Sequence, residues 1–171
     1  MPKTISLFNE VCLSSLWTDL GWMRPICDDN NLIRLEWNQS GWHEPDRPNH
    51  VSRETKSQLQ AFFDGYLKHF DLPLAPYGKD SNGRYWLETM AKIPYGTVIS
   101  YAEFARRVGK PKAARAAGSV CASNPIPIIY PCHRVIRKNG QMGYYGGGGH
   151  HHPAHPDNLA RKAALIKLER V

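Results

Sequence analysis

A cysteine followed directly by a histidine is the pair of residues in this sequence best suited to covalent chemistry. Cys132 and His133 follow a short apolar run, residues 126–130, and two prolines and Asn124 restrict the backbone before the cysteine. A thiol reacts as its thiolate, and an ordinary pKa of about 8.5 means that it needs a base or a positive charge nearby. The pair predicts a nucleophilic cysteine with an adjacent base, although an arbitrary Cys-His pair is more often a structural cysteine beside an incidental histidine.

The sequence on both sides of this pair carries short motifs in a fixed order. They are Ile93-Pro94-Tyr95-Gly96, Ser100-Tyr101, Lys112 to Gly118, Asn124-Pro125, Pro131 to Val135 and Gly143 to Gly147. Over residues 84–148 they resemble the active-site signature of the O6-alkylguanine-DNA alkyltransferases, and the resemblance is weaker in the C-terminal helix and faint before residue 84. It implies repair of O6-alkylguanine in DNA, with O4-alkylthymine as a further candidate substrate. The alkyl group passes once, irreversibly, to Cys132, and no cofactor is expected.

The resemblance also implies roles for the residues around the thiol. Glu169 corresponds to a carboxylate that orients His133, and His133 deprotonates Cys132 through a water. Tyr101 corresponds to a tyrosine that helps to rotate the target nucleotide, and Asn124 to a hinge residue of the cysteine loop. The expected guanine pocket consists of Tyr101, Val135, Met142, Gly143, Tyr145 and Gly146. By residue type alone, Glu169 could be a solvated helix-end residue, Tyr101 a packed aromatic and Asn124 a helix cap.

A histidine-rich insertion, residues 149–157, departs from the pattern of this family. It lengthens the connection to the C-terminal helix, so Glu169 reaches His133 only if the insertion loops out. Its four histidines could bind zinc, as could Cys12 and Cys27 with His43 or His50. Neither set has the spacing of a structural zinc site, and no metal is expected.

Two short helices joined by a tight turn are predicted after Ser100, in a helix-turn-helix arrangement. Ser100 and Glu103 form a capping box, Gly109 ends the first helix, and Pro111 is expected to be the first residue of the second. The small side chains around Arg115 make the second helix thin enough to approach DNA closely, although packing in the core would also explain them. The resemblance implies entry into the minor groove, with Arg115 filling the gap left by a flipped nucleotide. The expected DNA-binding residues are Arg107, Lys110, Lys112, Ala114, Arg115 and Ala116.

Bulk composition agrees with a partner that is a polyanion. The formal net charge is +7, and no window approaches the roughly 18 apolar residues of a membrane span. The four cysteines form no Cys-x-x-Cys pair, which suits a reducing compartment. We therefore expect a cytoplasmic monomer that binds double-stranded DNA and no membrane, with a nucleoid or nuclear location according to the kind of cell.

The elements predicted to position these residues fall into two lobes. Residues 1–75 form an N-terminal α/β lobe, which the resemblance makes a ribonuclease-H-like roll. Residues 76–83 form a linker, and residues 84–171 form a mainly helical lobe with winged helix-turn-helix character. Within them we predict hairpins around residues 28–31 and 138–140, and a helix with an apolar stripe from Leu59 to Phe70 behind a Thr55–Gln58 capping box. The last helix, 157–170, should face inward with Leu159, Ala163 and Ile166.

Three other functions remain compatible with parts of this pattern. A non-catalytic protein that senses alkylated bases would carry another residue, typically tryptophan, in place of Cys132. A transcription factor could use the helix-turn-helix, but the chain shows no additional domain with metal-binding cysteines. A cysteine hydrolase would need Cys132 and His133 to face each other, whereas adjacent residues of an extended loop point apart.

Overall fold

A computed structural model of the protein describes residues 11–146 and 151–170. The chain divides into two compact units, residues 1–77 and residues 78–171. This division falls inside residues 76–83, the stretch expected to be a linker. The predicted lobe boundaries at residues 75 and 84 stay a prediction. No helix in the described part of the chain is long and apolar enough to cross a membrane.

The first unit is built on an antiparallel sheet centred on one long strand. Its strands are β1 (Cys12–Leu13), β2 (Leu16–Thr18), β3 (Gly21–Cys27) and β4 (Leu32–Asn38), and β3 pairs with each of the others. The predicted hairpin around residues 28–31 is confirmed by the pairing of β3 with β4. The Asp28 carboxylate accepts the backbone N–H groups of Asn30 and Asn31, at 2.8 and 2.7 Å, which fixes the turn.

The helix of the first unit, α1 (His50–Phe63), begins and ends earlier than predicted. Asn49 and Ser52 form a reciprocal capping box at its start, so the predicted Thr55–Gln58 box is wrong. Thr55 lies inside the helix and donates its hydroxyl to Val51 O at 2.8 Å. Gly65, at a φ of 81°, follows the helix end, and the predicted stripe does not reach Phe70.

The second unit is mainly helical, so the expected α/β class with a helical second part is confirmed. Its elements are α2 (Ser81–Ala91), β5 (Ile99–Ser100), α3 (Tyr101–Arg107), α4 (Ala114–Ala122), a 3-10 turn (Cys132–Arg134), β6 (Val135–Ile136) and α5 (Pro156–Glu169). The short strands β5 and β6 pair in parallel, which brings the start of α3 beside the residues that follow the 3-10 turn.

Helix α4 begins three residues later than Pro111, so the predicted role of this proline is wrong. The backbone N–H of Ala113 donates to Lys110 O at 2.9 Å and closes a turn before the helix. Pro111 and Lys112 lie in that turn. Ser100 caps α3 as predicted, because its hydroxyl accepts the Glu103 N–H at 3.1 Å.

The predicted hairpin around residues 138–140 is also wrong, although its turn forms. Gly140 N donates to Arg137 O and Arg137 N donates to Gln141 O, each at 2.9 Å. The segment after the turn forms no strand, and the neighbour of β6 is β5. The physical reason lies in the backbone carbonyls of this segment, which bind a buried lysine described below.

Helix α5 packs through a polar face rather than the predicted apolar one. Ile166 is buried as predicted, but Leu159 is only half-buried and Ala163 is exposed. The buried residues of this face are Asn158, Arg161, Lys162, Leu165, Ile166 and Glu169. The prediction for Leu159 and Ala163 is wrong. The buried side of the helix contacts backbone carbonyls and charged groups, so polar side chains occupy it and these two residues lie elsewhere on the helix.

Candidate active site

The loop before Cys132 is held in one conformation by Asn124. The Asn124 side chain accepts the Ile126 N–H at 3.0 Å and donates to Tyr130 O at 2.7 Å. Between these contacts, Ile128 has a φ of 72°. A β-branched residue at positive φ is strained, and such a conformation persists only where the surroundings impose it. Asn124 therefore fixes the backbone that delivers the thiol.

Cys132 is fully buried at the start of the 3-10 turn. Burial raises the pKa of its thiol, and four groups act in the opposite direction: the Lys162 ammonium, the Asn124 side chain and the backbones of Gly146 and of Cys132 itself. Because burial prevails, the resting group is a neutral thiol. The groups that stabilise a thiolate are nevertheless in place, so a base is the remaining requirement.

His133 is in contact with the expected carboxylate. Its Nε2 lies 2.6 Å from Glu169 Oε1, and both side chains are buried. Burial lowers the pKa of His133, although Glu169 acts to raise it, so the ring is neutral in the resting state. A neutral ring that donates Nε2–H to a carboxylate keeps its lone pair on Nδ1. Within the described residues Nδ1 has no hydrogen-bonding partner, and it is the nitrogen able to accept a proton.

The Glu169 carboxylate is shared with Arg134, which the sequence analysis gave no role. Arg134 Nε lies 2.9 Å from Oε2, Arg134 Nη2 lies 2.8 Å from Oε1, and the Gly96 N–H donates to Oε2 at 3.1 Å. Burial alone would raise the pKa of Glu169, but hydrogen bonds from His133 and Arg134 lower it to about 2. Arg134 also donates to Ile93 O at 2.6 Å. The carboxylate is therefore ionised and held on several sides.

Lys162 is a buried cation that the sequence analysis missed. Its Nζ donates to the carbonyls of Val135, Met142 and Tyr144, at 2.5, 2.6 and 2.7 Å. Burial lowers the pKa of Lys162, but three acceptors require three N–H donors, which only the ammonium has. The spacing could have indicated that Lys162 is buried, because residues 162 and 169 are two helical turns apart and share the face of α5 on which Glu169 was expected to point inward.

Tyr101 meets the Met142–Tyr144 segment as expected for members of one pocket. Its hydroxyl accepts the Tyr144 N–H at 2.9 Å and lies 3.4 Å from Met142 O. Burial raises the pKa of Tyr101, so it remains a phenol that can donate a hydrogen bond. Gly143, at a φ of 74°, lies against this ring, and a Cβ there would overlap the phenol. Any side chain at position 143 would displace Tyr101.

Gly146 allows the backbone to pass close beside the cysteine loop. A Cβ at this position would overlap Cys121 O and lie 3.0 Å from Asn124 N. Tyr145 and Val135 are buried. The structure thus brings the expected pocket residues into one region with Cys132, while their role as a base pocket stays a prediction. Gly147 and His150 lie outside the described residues.

The residues expected to contact DNA differ in how they are engaged. Arg115 and Ala116 are exposed on α4, Ala114 is half-buried, and Lys112 is exposed in the preceding turn. Two further cations are held by neighbours, since Arg107 lies 2.9 Å from Glu103 and Lys110 lies 3.1 Å from Asn82. By contrast, the Arg115 and Lys112 side chains have no ion-pair partner in residues 11–146 and 151–170.

Comparison with known proteins gives concordant matches. Residues 84–171 match the family model of the 6-O-methylguanine DNA methyltransferase DNA-binding domain. The methylated-DNA–protein-cysteine methyltransferase of Methanosarcina acetivorans is 47% identical over 93 residues, 54% of this chain and 59% of that protein. The constitutive enzyme of that name from Bacillus subtilis is 35% identical over 165 residues, 90% of this chain and 92% of that protein.

Solved structures agree with these sequence matches over most of the chain. The Mycobacterium tuberculosis O6-methylguanine methyltransferase superposes with a TM-score of 0.75 at 33% identity, covering 94% of this chain and 93% of that one. A structure of the same protein in complex with DNA superposes with a TM-score of 0.74. The chain spans about three fifths of the length of the Methanosarcina relatives it matches.

Replacing Lys162 by methionine should both destabilise the fold and make the thiol less acidic. Lys162→Met leaves one buried and two partly buried carbonyls without their donor, and a buried unsatisfied carbonyl costs about 1–3 kcal/mol. It also removes the cation that lowers the pKa of Cys132. Urea unfolding and the pH dependence of Cys132 alkylation by iodoacetamide measure the two effects. Lys167→Met, at an exposed position of the same helix, is the control, and equal behaviour of the two variants would contradict this role for Lys162.

Removing the charge of Glu169 should destabilise the protein in a pH-dependent way. Glu169→Gln leaves Arg134 buried without its counter-ion, a change that costs about 3–5 kcal/mol. The folded pKa of about 2 lies below the usual value of 4.5. The stabilisation is thus complete above pH 4.5 and disappears as the pH falls towards 2. Urea unfolding of wild type and variant across this range measures it, with exposed Glu88→Gln as the control. Equal unfolding free energies at neutral pH would refute the prediction.

Proposed function

Because this chain belongs to the 6-O-methylguanine DNA methyltransferase family, we propose that it repairs alkylated DNA by transferring the alkyl group from guanine O6 to Cys132. The family membership expected from the sequence motifs is thereby confirmed. The proposal depends above all on one observation, the contact of His133 with ionised Glu169 beside a buried thiol. The relatives named above are methyltransferases by name, and the same activity is proposed for this chain.

In the proposed reaction His133 removes the thiol proton of Cys132 through a water molecule. Nδ1 accepts the proton, and the Glu169 carboxylate stabilises the imidazolium that forms. The thiolate, stabilised by Lys162 and Gly146, attacks the alkyl carbon. A carbon–sulfur bond forms, the carbon–oxygen bond breaks, and guanine leaves with the proton that His133 carried. The thioether has no bond that water can readily hydrolyse, so each molecule reacts once and no cofactor takes part.

The target base would occupy the region formed by Tyr101, Val135, Met142, Gly143, Tyr145 and Gly146. The neutral Tyr101 phenol can donate a hydrogen bond to the purine, which helps guanine to leave. The absence of side chains at positions 143 and 146 lets this backbone approach Tyr101 and the cysteine loop closely, which brings these residues into one region. O4-alkylthymine is a further candidate substrate for the same site.

Double-stranded DNA is the proposed partner, bound in the minor groove through α3 and α4. These helices would act as a winged helix-turn-helix, and the N-terminal unit would be a ribonuclease-H-like roll. The DNA complex of the Mycobacterium tuberculosis relative supports DNA as the ligand. Arg115, exposed and without an ion-pair partner in the described chain, suits insertion into the base stack after the alkylated nucleotide flips out. Arg107 and Lys110 would have to exchange Glu103 and Asn82 for phosphates.

A monomer in a reducing cytoplasm, or at the nucleoid or in the nucleus, is the setting that this proposal implies. Cys12, Cys27, Cys121 and Cys132 are all free thiols, as a reactive cysteine requires. The alternative of a non-catalytic sensor of alkylated bases has less support, since the nucleophile and its base are both present.

The proposed transfer is tested with duplex DNA that carries labelled O6-methylguanine. The label should move to wild-type protein, one methyl per chain on Cys132 by mass spectrometry. Cys132→Ala should bind the DNA without accepting the label, because no thiol remains at the site. Cys121→Ala, which removes a buried thiol nearby, is the matched control and should still accept it. Label on Cys121, or repeated turnover by one molecule, would overturn the mechanism.

Arg115 should matter for base extrusion more than for binding. Arg115→Ala should slow repair of duplex DNA sharply, yet change the reaction with free O6-benzylguanine far less, because a free base needs no extrusion. Lys112→Ala, the comparison variant, should instead weaken DNA binding and flatten its salt dependence, as expected for a phosphate contact. Single-turnover rates on the two substrates decide the matter. Equal losses on both for Arg115→Ala would make it a structural residue of the pocket.

A further inference from the structure

The histidine-rich segment before α5 has no part in the proposed alkyl transfer. The structure divides its described histidines into two groups. The His152 ring packs edge-on against Tyr144, with ring centroids 6.4 Å apart, and its Nδ1 accepts the Ala154 N–H at 3.1 Å. His151 and His155 instead stack on each other, with centroids 4.0 Å apart and planes at 14°. The two groups therefore face different neighbours.

The stacked pair lies beside a carboxylate at the start of α5. Asp157 Oδ2 is 3.8 Å from His155 Nδ1, and one ligand atom each from His151, His155 and Asp157 all lie within 4.8 Å of one another. Four-coordinate zinc with bonds near 2.1 Å has ligand atoms about 3.4 Å apart. Small side-chain rotations would close the difference, since His151 and Asp157 are exposed and His155 is half-buried.

The donor set is that of a transition-metal site. Imidazole suits zinc, copper and nickel, while one carboxylate with two imidazoles is a poor site for magnesium or calcium, which require mostly oxygen ligands. Three protein ligands leave a fourth position for water. The chain spacing of 151, 155 and 157 matches no motif considered in the sequence analysis, which therefore expected no metal. The fold of the loop, not the spacing alone, brings the three side chains together.

We propose that His151, His155 and Asp157 bind one divalent transition-metal ion of the zinc type. The ion would join the loop at residues 151–155 to the first turn of α5, where His155 is the N-cap residue. The same loop contacts the segment at residues 142–145, whose Met142 and Tyr144 carbonyls bind Lys162, because Tyr145 N donates to Pro153 O at 3.0 Å. Bound metal would thus stabilise the connection that precedes the helix carrying Lys162 and Glu169.

The test is a zinc titration of the full chain after treatment with a chelator, followed by calorimetry at neutral pH. Wild type should bind one ion and show a higher Tm with zinc, because a ligand that binds only the folded state stabilises it. His151→Gln, His155→Ser and Asp157→Asn should each weaken zinc binding about tenfold or more, and each should lose the Tm increase. Serine at position 155 keeps a side-chain acceptor for the helix cap.

His152→Gln is the matched control, since it removes a neighbouring histidine outside the cluster. It should lose much less zinc affinity than the roughly tenfold expected of the ligand substitutions and keep the full Tm increase. Cobalt bound in place of zinc should give a spectrum without a thiolate-to-metal charge-transfer band, which excludes the cysteines as ligands. Three results would each overturn the proposal: no saturable binding, binding that survives the three ligand substitutions, or an equal loss with His152→Gln.

Discussion

One buried carboxylate, Glu169, is the interaction on which the candidate site depends. An ion taken out of water is tolerated only where its acceptor sites are occupied by well-placed donors. Here the donors come from the 3-10 turn (His133 and Arg134) and from the turn at Gly96. Glu169 therefore joins the end of α5 to the 3-10 turn and to the turn after α2 through direct hydrogen bonds. The hydrogen bond to Glu169 also fixes the orientation of the His133 ring.

A second buried charge on the same helix face has the opposite sign and shapes a different segment. Lys162 binds the carbonyl of Val135, in β6, and the carbonyls of Met142 and Tyr144, in a segment for which the described structure shows no strand pairing. That arrangement presents Gly146 to Cys132 and Tyr144 to Tyr101. Helix α5 thus contacts His133 through a carboxylate in its last turn and the Met142–Tyr144 backbone through an ammonium in its second.

Features that depend on near neighbours in the chain, and one long-range contact, could be predicted from the sequence. The Asp28 turn, the Ser100 cap and the contact of His133 with Glu169 were all expected, the last from resemblance. The burial of Lys162 was not expected, because periodicity rules place apolar residues in the core and lysines at the surface. The predicted start of α1 was wrong for another reason: Thr55–Gln58 has the usual sequence of a capping box, whereas the box that forms, Asn49–Ser52, has a serine in place of the usual Glu or Gln. The spacing of His151, His155 and Asp157 was likewise uninformative without the loop.

Counting formal charges inside the site shows an imbalance. Arg134 and Lys162 contribute two positive charges and Glu169 one negative charge, while burial keeps Cys132 and His133 neutral. The resting interior therefore holds one excess positive charge. A thiolate whose proton has left the site would restore electroneutrality, whereas a thioether cannot ionise. An alkylated chain would keep this excess positive charge permanently. The Lys162 ammonium, which favours the Cys132 thiolate before the reaction, would therefore have no counter-ion after it.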